Sequence, residues 1–166
     1  MELRNLWLPI TAYEALGAHA DTFPSRADEY GGYLRGVLEM GAAMTAKDYA
    51  IAGARRQDFN QRFESELAEV DAVICPAGGS VFEADRQAQY GDADALKEIV
   101  RHFQGQFTIP ADLAGTPALS VPCGFSSSGM PMGLQIVGRP FAEETVLRVA
   151  HAYEQTTEWH NRRAPV

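Results

Sequence analysis

The sequence has 166 residues, 46% of them hydrophobic, with 22 acidic against 14 basic side chains and a net charge of -8. A chain this long typically buries roughly 70% of its unfolded surface, so one core is the default. The acidic balance and the lack of a Lys/Arg run argue against nucleic-acid binding, and no stretch approaches the roughly 20 apolar residues that span a bilayer.

The opening Met1 to Pro9 has no basic start followed by a long apolar run, so the sequence reads as soluble and cytoplasmic rather than secreted or membrane-bound. Only two cysteines occur, Cys75 and Cys123, each beside a proline in an apolar run, which fits a reducing compartment rather than a disulfide framework. His19, His102, His151 and His160 are scattered without metal-ligand spacing, and neither a metal nor any other cofactor is expected.

In chain order, residues 1 to 70 read as helical. Thr11 with Glu14, Ser25 with Asp28, and Thr45 with Asp48 each place an acid three residues after a hydroxyl, the reciprocal capping pattern of a helix N-terminus. The third pair opens the longest predicted helix, where Tyr49, Ala52, Phe59, Phe63, Leu67 and Val70 recur at helical spacing. At Asp71 the period changes. Ala72 to Cys75 is a short continuous apolar run stopped by Pro76, the pattern of a strand buried on both faces, and a loop from Ala77 to Val81 follows.

Residues 92 to 103 return to helix, with Leu96, Ile99, Val100 and Phe103 on one face and Gly105 as its break. A helical turn from Pro110 to Gly115 comes next. Residues 118 to 125 and 132 to 138, joined by Ser126 to Pro131, read as two antiparallel strands. A last helix from about Glu143 to Trp159 carries the stripe Val146, Val149, Ala150 and Tyr153. With no linker or repeat, the expectation is a single α/β domain over 1–166, helical in 1–70 and made of strands and helices in 71–166, with a mixed β-sheet flanked by helices.

Phe107-Thr-Ile-Pro-Ala-Asp-Leu-Ala-Gly-Thr-Pro-Ala-Leu-Ser-Val-Pro-Cys-Gly-Phe125 and Gly129-Met-Pro-Met-Gly-Leu-Gln-Ile-Val-Gly-Arg-Pro-Phe141 closely resemble the amidase signature family. Leu38 to Gly41, Asp48-Tyr49, Asp71 to Pro76 and the final helix through Trp159-His160 fit that family in the same order, so the resemblance covers nearly the whole chain. It implies the C-terminal part of the amidase signature fold and hydrolysis of carboxylic amides by a serine nucleophile, a second serine in a cis peptide bond and a lysine. In the family those three lie upstream, in and before a Gly/Ser-rich signature. The two lysines here, Lys47 and Lys97, precede no such signature, so no catalytic residue is assigned and the chain is expected to be inactive alone.

The resemblance places Cys75, Pro76, Ala77, Gly78 and Gly79 at the edge of the family's substrate cleft, and Phe107 and Thr108 at a segment next to its pocket. These seven are the candidate substrate-binding residues. From the residues alone, Ala77 to Val81 could form an oxyanion loop around Ser80, but a generic loop after a strand is preferred. A nitrilase-like thiol at Cys75 or Cys123 lacks a suitably placed lysine, so both read as buried, inert thiols. His151 reads as a partly buried side chain on a packed helix. Two further readings stand beside the amidase: a non-catalytic binding or assembly module, and a fragment like the glutamine-using component of glutamyl-tRNA amidotransferase. The latter is disfavoured by Gly105, where such proteins are acidic. The expected partner is the missing N-terminal amidase part or a second copy of the chain (a homodimer), and the full enzyme's substrate would be a small amide.

Overall fold

In the computed structural model, described here for residues 3–78 and 105–162, five helices and three strands follow one another along the chain. The described residues fall into two compact units, 3–57 and the combination of 58–78 with 105–162. The first holds α1 (Arg4–Ala18), α2 (Gly32–Ala43) and the first turns of α3 (Ala46–Leu67). Leu6, Ile10 and Ala12 of α1 and Val37 and Leu38 of α2 are buried, and these two helices pack on each other.

One of the three expected capping pairs forms. The Thr45 N–H donates to Asp48 Oδ2 at 3.0 Å and the Asp48 N–H to Thr45 Oγ1 at 3.2 Å, closing the reciprocal box that starts α3. The other two expectations fail. Thr11 lies inside α1, which begins at Arg4, and Ser25 precedes only a three-residue 3-10 turn while its hydroxyl donates back to the Thr22 carbonyl at 3.4 Å. A hydroxyl three residues before an acid caps a helix only where the preceding backbone leaves it, and the residues before Thr11 are already helical.

The second unit is built on one sheet: β1 (Ala72–Pro76), β2 (Ala118–Phe125) and β3 (Pro131–Gly138), in the order β1-β3-β2. Both pairings are antiparallel, with Cys75 opposite Gln135 on one side of β3 and Ser120 opposite Gln135 on the other. The three strands thus join one sheet, with β2 and β3 adjacent and antiparallel as expected for residues 118–125 and 132–138. Among the described residues this sheet is wholly antiparallel. Gly129 turns the β2–β3 connection at φ 82, and its N–H donates to the Ser126 carbonyl.

One sheet face carries the core. Val121 and Ile136 pack with Val146 and Ala150 of α5 (Glu143–Glu154), joined by Leu119, Leu134, Val149 and Tyr153. Ile136 is fully buried there, and burying such a side chain contributes about 1.5–3 kcal/mol. The helix stops at Glu154, five residues short of the predicted Trp159. Thr156 and Thr157 turn their hydroxyls back onto the Tyr153 carbonyl, at 2.8 and 3.4 Å, the competition with backbone bonding that ends helices. His151 is exposed on α5 rather than partly buried, because the buried stripe runs through Val146 and Ala150.

The expectation for β1 is also corrected: Val73 is 39% and Ile74 57% exposed, although the strand's composition calls for cover on both faces. α5 packs on β2 and β3, which leaves β1 at the open margin of the described sheet. The helix predicted over 92–103 lies outside the described residues.

Candidate functional site

The sheet face opposite α5 carries Cys75 and Ala77 of the residues that the resemblance assigns to substrate binding, and the Phe107 carbonyl meets it through Gln135, whereas Pro76 pairs with Leu134 on the α5 face. Directly paired residues in an antiparallel ladder share a face, so Cys75, Gln135 and Ser120 form a row across the three strands. Gln135 is 7% exposed and is one of two buried polar side chains among the described residues. Its Nε2 donates to the Phe107 carbonyl at 2.7 Å and to Cys75 Sγ at 3.5 Å. One side-chain amide therefore joins the two chain segments, 75–78 and 107–108, that the sequence separates by about thirty residues.

Phe107 and Thr108 sit in the turn that starts α4 (Ile109–Ala114). The N–H groups of Thr108 and Ile109 both donate to the Gly105 carbonyl, and Thr108 itself accepts from the Asp112 N–H. Gly115 ends this helix with φ 68, a left-handed conformation that a glycine adopts without a Cβ penalty. Both Phe107 and Thr108 are half-buried.

At the other segment, Pro76 is exposed as the last residue of β1, and the half-buried Ala77 donates its N–H to the Gly133 carbonyl at 2.9 Å. Gly78 is exposed, with open space where a Cβ would point. Gly79 and Ser80 lie outside the described residues. Burial pushes the Cys75 thiol above its ordinary range, opposed by the Gln135 hydrogen bond, which leaves a weakly nucleophilic group at neutral pH. The thiol is half-buried rather than buried as expected, and its raised pKa is that of an inert group. Cys123 is half-buried on β2 and also free. No group of three or more metal-binding side chains occurs among the described residues.

Gln135 and Gly133 are not among the residues that the sequence singles out. A signal for Gln135 exists: it is the lone polar side chain in Met132-Gly-Leu-Gln-Ile-Val-Gly138, on the opposite parity to Leu134 and Ile136. Gly133 shares its face. A Cβ there would stand 2.8 Å from Ala77 Cβ and 2.9 Å from Ser120 Oγ, so the missing side chain lets β1 and β2 residues close over β3.

A family model described as Amidase matches residues 13–147 of this sequence. This chain belongs to the amidase family. AmiD of Mycobacterium tuberculosis, named as an amidase, is 34% identical over 155 residues, covering 93% of this chain but 32% of that protein. A glutamyl-tRNA(Gln) amidotransferase component of Geobacter metallireducens is 44% identical over 111 residues, 66% of this chain and 21% of that protein. Among solved structures, an amidase crystal structure superimposes with a TM-score of 0.74 at 23% identity, over 95% of this chain and 36% of the other. An allophanate hydrolase from Kluyveromyces lactis gives 0.71 at 20% identity, over 100% of this chain and 29% of the other. The fold is thus that of amidase signature enzymes, and the chain spans about a third or less of the length of these relatives.

Proposed function

We propose that this chain is the C-terminal part of an amidase that hydrolyses carboxylic amide C–N bonds, in which it supplies one wall of the substrate pocket. The observation that carries the reading is the convergence of the Cys75 thiol and the Phe107 carbonyl on Gln135, with Ala77 bonded to Gly133 two positions along β3, in a chain of the amidase family. The chemistry would come from residues elsewhere. A serine attacks the amide carbonyl, an oxyanion forms, and the leaving nitrogen takes a proton as the C–N bond breaks. The Cys75 thiol does not fit the nucleophile's part, since burial holds it protonated.

The partner in this reading is a segment corresponding to the N-terminal part of the relatives, or a second copy of the chain, covering the exposed Val73 and Ile74. A small amide is the substrate, with neither nucleic acid nor membrane as a ligand. None of the described helices is long and apolar enough to cross a membrane. The setting proposed is cytoplasmic, which the two free thiols favour.

The test is to combine the chain with the Lys- and Ser-bearing N-terminal segment of an amidase relative and to follow ammonia release from benzamide and acetamide. Release that needs both pieces supports the proposal. A stable complex without turnover of any amide would favour the non-catalytic module instead. A second reading, a fragment like the glutamyl-tRNA amidotransferase component, is favoured by the 44% identity to the Geobacter protein. It predicts glutamine as the preferred amide, whereas Gly105 at the position where such proteins are usually acidic predicts aryl, alkyl or carbamoyl amides.

A further inference from the structure

A buried side-chain amide is costly unless its hydrogen bonds are made, and a Leu or Met would fill similar space without that cost. Gln135 meets the cost by donating to a backbone carbonyl 28 residues away and a thiol 60 residues away in the sequence. Neither acceptor belongs to the ladder hydrogen bonds of β3, so the sheet does not need them to form. What they fix is the separation between the end of β1 and the turn before α4. Two positions along β3 on the same face, Gly133 leaves the room into which Ala77 and Ser120 close.

From this juxtaposition we infer that Gln135 is a positioning residue, which holds the Phe107 turn against Cys75 and so fixes the separation of the two segments. The inference deepens the proposed amidase reading and rests on it for the claim that these segments face substrate. Gln135 touches neither reacting atoms nor substrate. Its effect passes through the Phe107 carbonyl and the position of Thr108.

The experiment uses the full 166-residue chain, with Gln135→Met, which keeps length but removes the donors, and Gln135→Glu, which keeps shape but cannot donate to the Phe107 carbonyl when ionised. Alkylation by N-ethylmaleimide is followed at Cys75 and Cys123 separately by mass spectrometry, Cys123 serving as the reference for general loosening. Losing the Gln135 bond alone pushes the Cys75 thiol higher and slows alkylation, so an acceleration reports separation of the two segments around Cys75. The expected result is an acceleration of about fivefold or more at Cys75 in at least one variant, with Cys123 unchanged, as local opening implies. Equal acceleration at both thiols, or none at Cys75 in either variant, overturns the positioning role.

The same variants are then assayed with the N-terminal segment, where KM for benzamide is expected to rise about tenfold with kcat within about twofold, the signature of lost binding rather than lost chemistry. Selective opening at Cys75 with an unchanged KM would retain the positioning role and refute the assignment of these segments to the substrate site.

Discussion

Ala77 and Gly133 meet where the candidate site leaves the sheet: the Ala77 N–H donates to the Gly133 carbonyl at 2.9 Å, while a Cβ on Gly133 would come within 2.8 Å of Ala77 Cβ. The contact is possible only because position 133 carries no side chain. Gly133→Ala is therefore expected to destabilise the second unit by about 1–3 kcal/mol, the usual range for forcing a methyl into a filled space. Chemical denaturation measures it, and a change below about 0.5 kcal/mol would mean that Ala77 and Ser120 move aside freely.

A second prediction concerns α3. Thr45→Ala removes one half of the capping box and is expected to cost about 1 kcal/mol, seen as a lower melting temperature. The hydrogen bonds from the Thr45 side chain and backbone hold the Asp48 carboxyl below its ordinary pKa. A depressed folded-state pKa contributes stability that is present above the unfolded value and lost as pH falls through the folded one. Asp48→Asn should then flatten the melting-temperature profile on the acid side of about pH 4, relative to the parent chain. Identical acid profiles for the two would contradict the box.

Alone, the chain should release no ammonia from benzamide or acetamide. Its lysines precede no Gly/Ser-rich signature, and burial holds the Cys75 thiol of its candidate wall protonated. Turnover abolished by a serine-directed covalent inhibitor, with one serine of this chain labelled, would refute this.

Exposure of Val73 and Ile74 on β1 predicts association. A margin strand with apolar side chains in water tends to be covered by another chain. Light scattering at micromolar concentration should give a mass above the 18.1 kDa monomer, and Ile74→Lys should shift the chain toward that monomer. A parent chain that stays monomeric and binds no hydrophobic dye would show that β1 is already closed.

The strands 72–76, 118–125 and 131–138 are legible to within a residue because each is written in its own short apolar run and bounded by Pro or Gly. The Thr45 cap is legible for a similar reason, since both partners lie within one helical turn. Thr11 and Ser25 show the weakness of the same signal: it is identical in sequence, but the backbone before it decides whether a helix begins there. The seven candidate site residues come from family likeness rather than from any local pattern.

The sequence by itself determined the three strands, the start of α3, the β2–β3 pairing and membership of the amidase family, because these depend on residues two to four apart or on long runs of matching side chains. Tertiary structure alone decided that Cys75 and Phe107 share one partner. It also decided that the polar residue in β3 points away from α5, and that β1 stands uncovered at the sheet margin. The physical reason is that a side chain's parity names two possible faces, while burial and long-range hydrogen bonds depend on which helix covers each face. That follows from the path of the loops, and local periodicity carries no record of it.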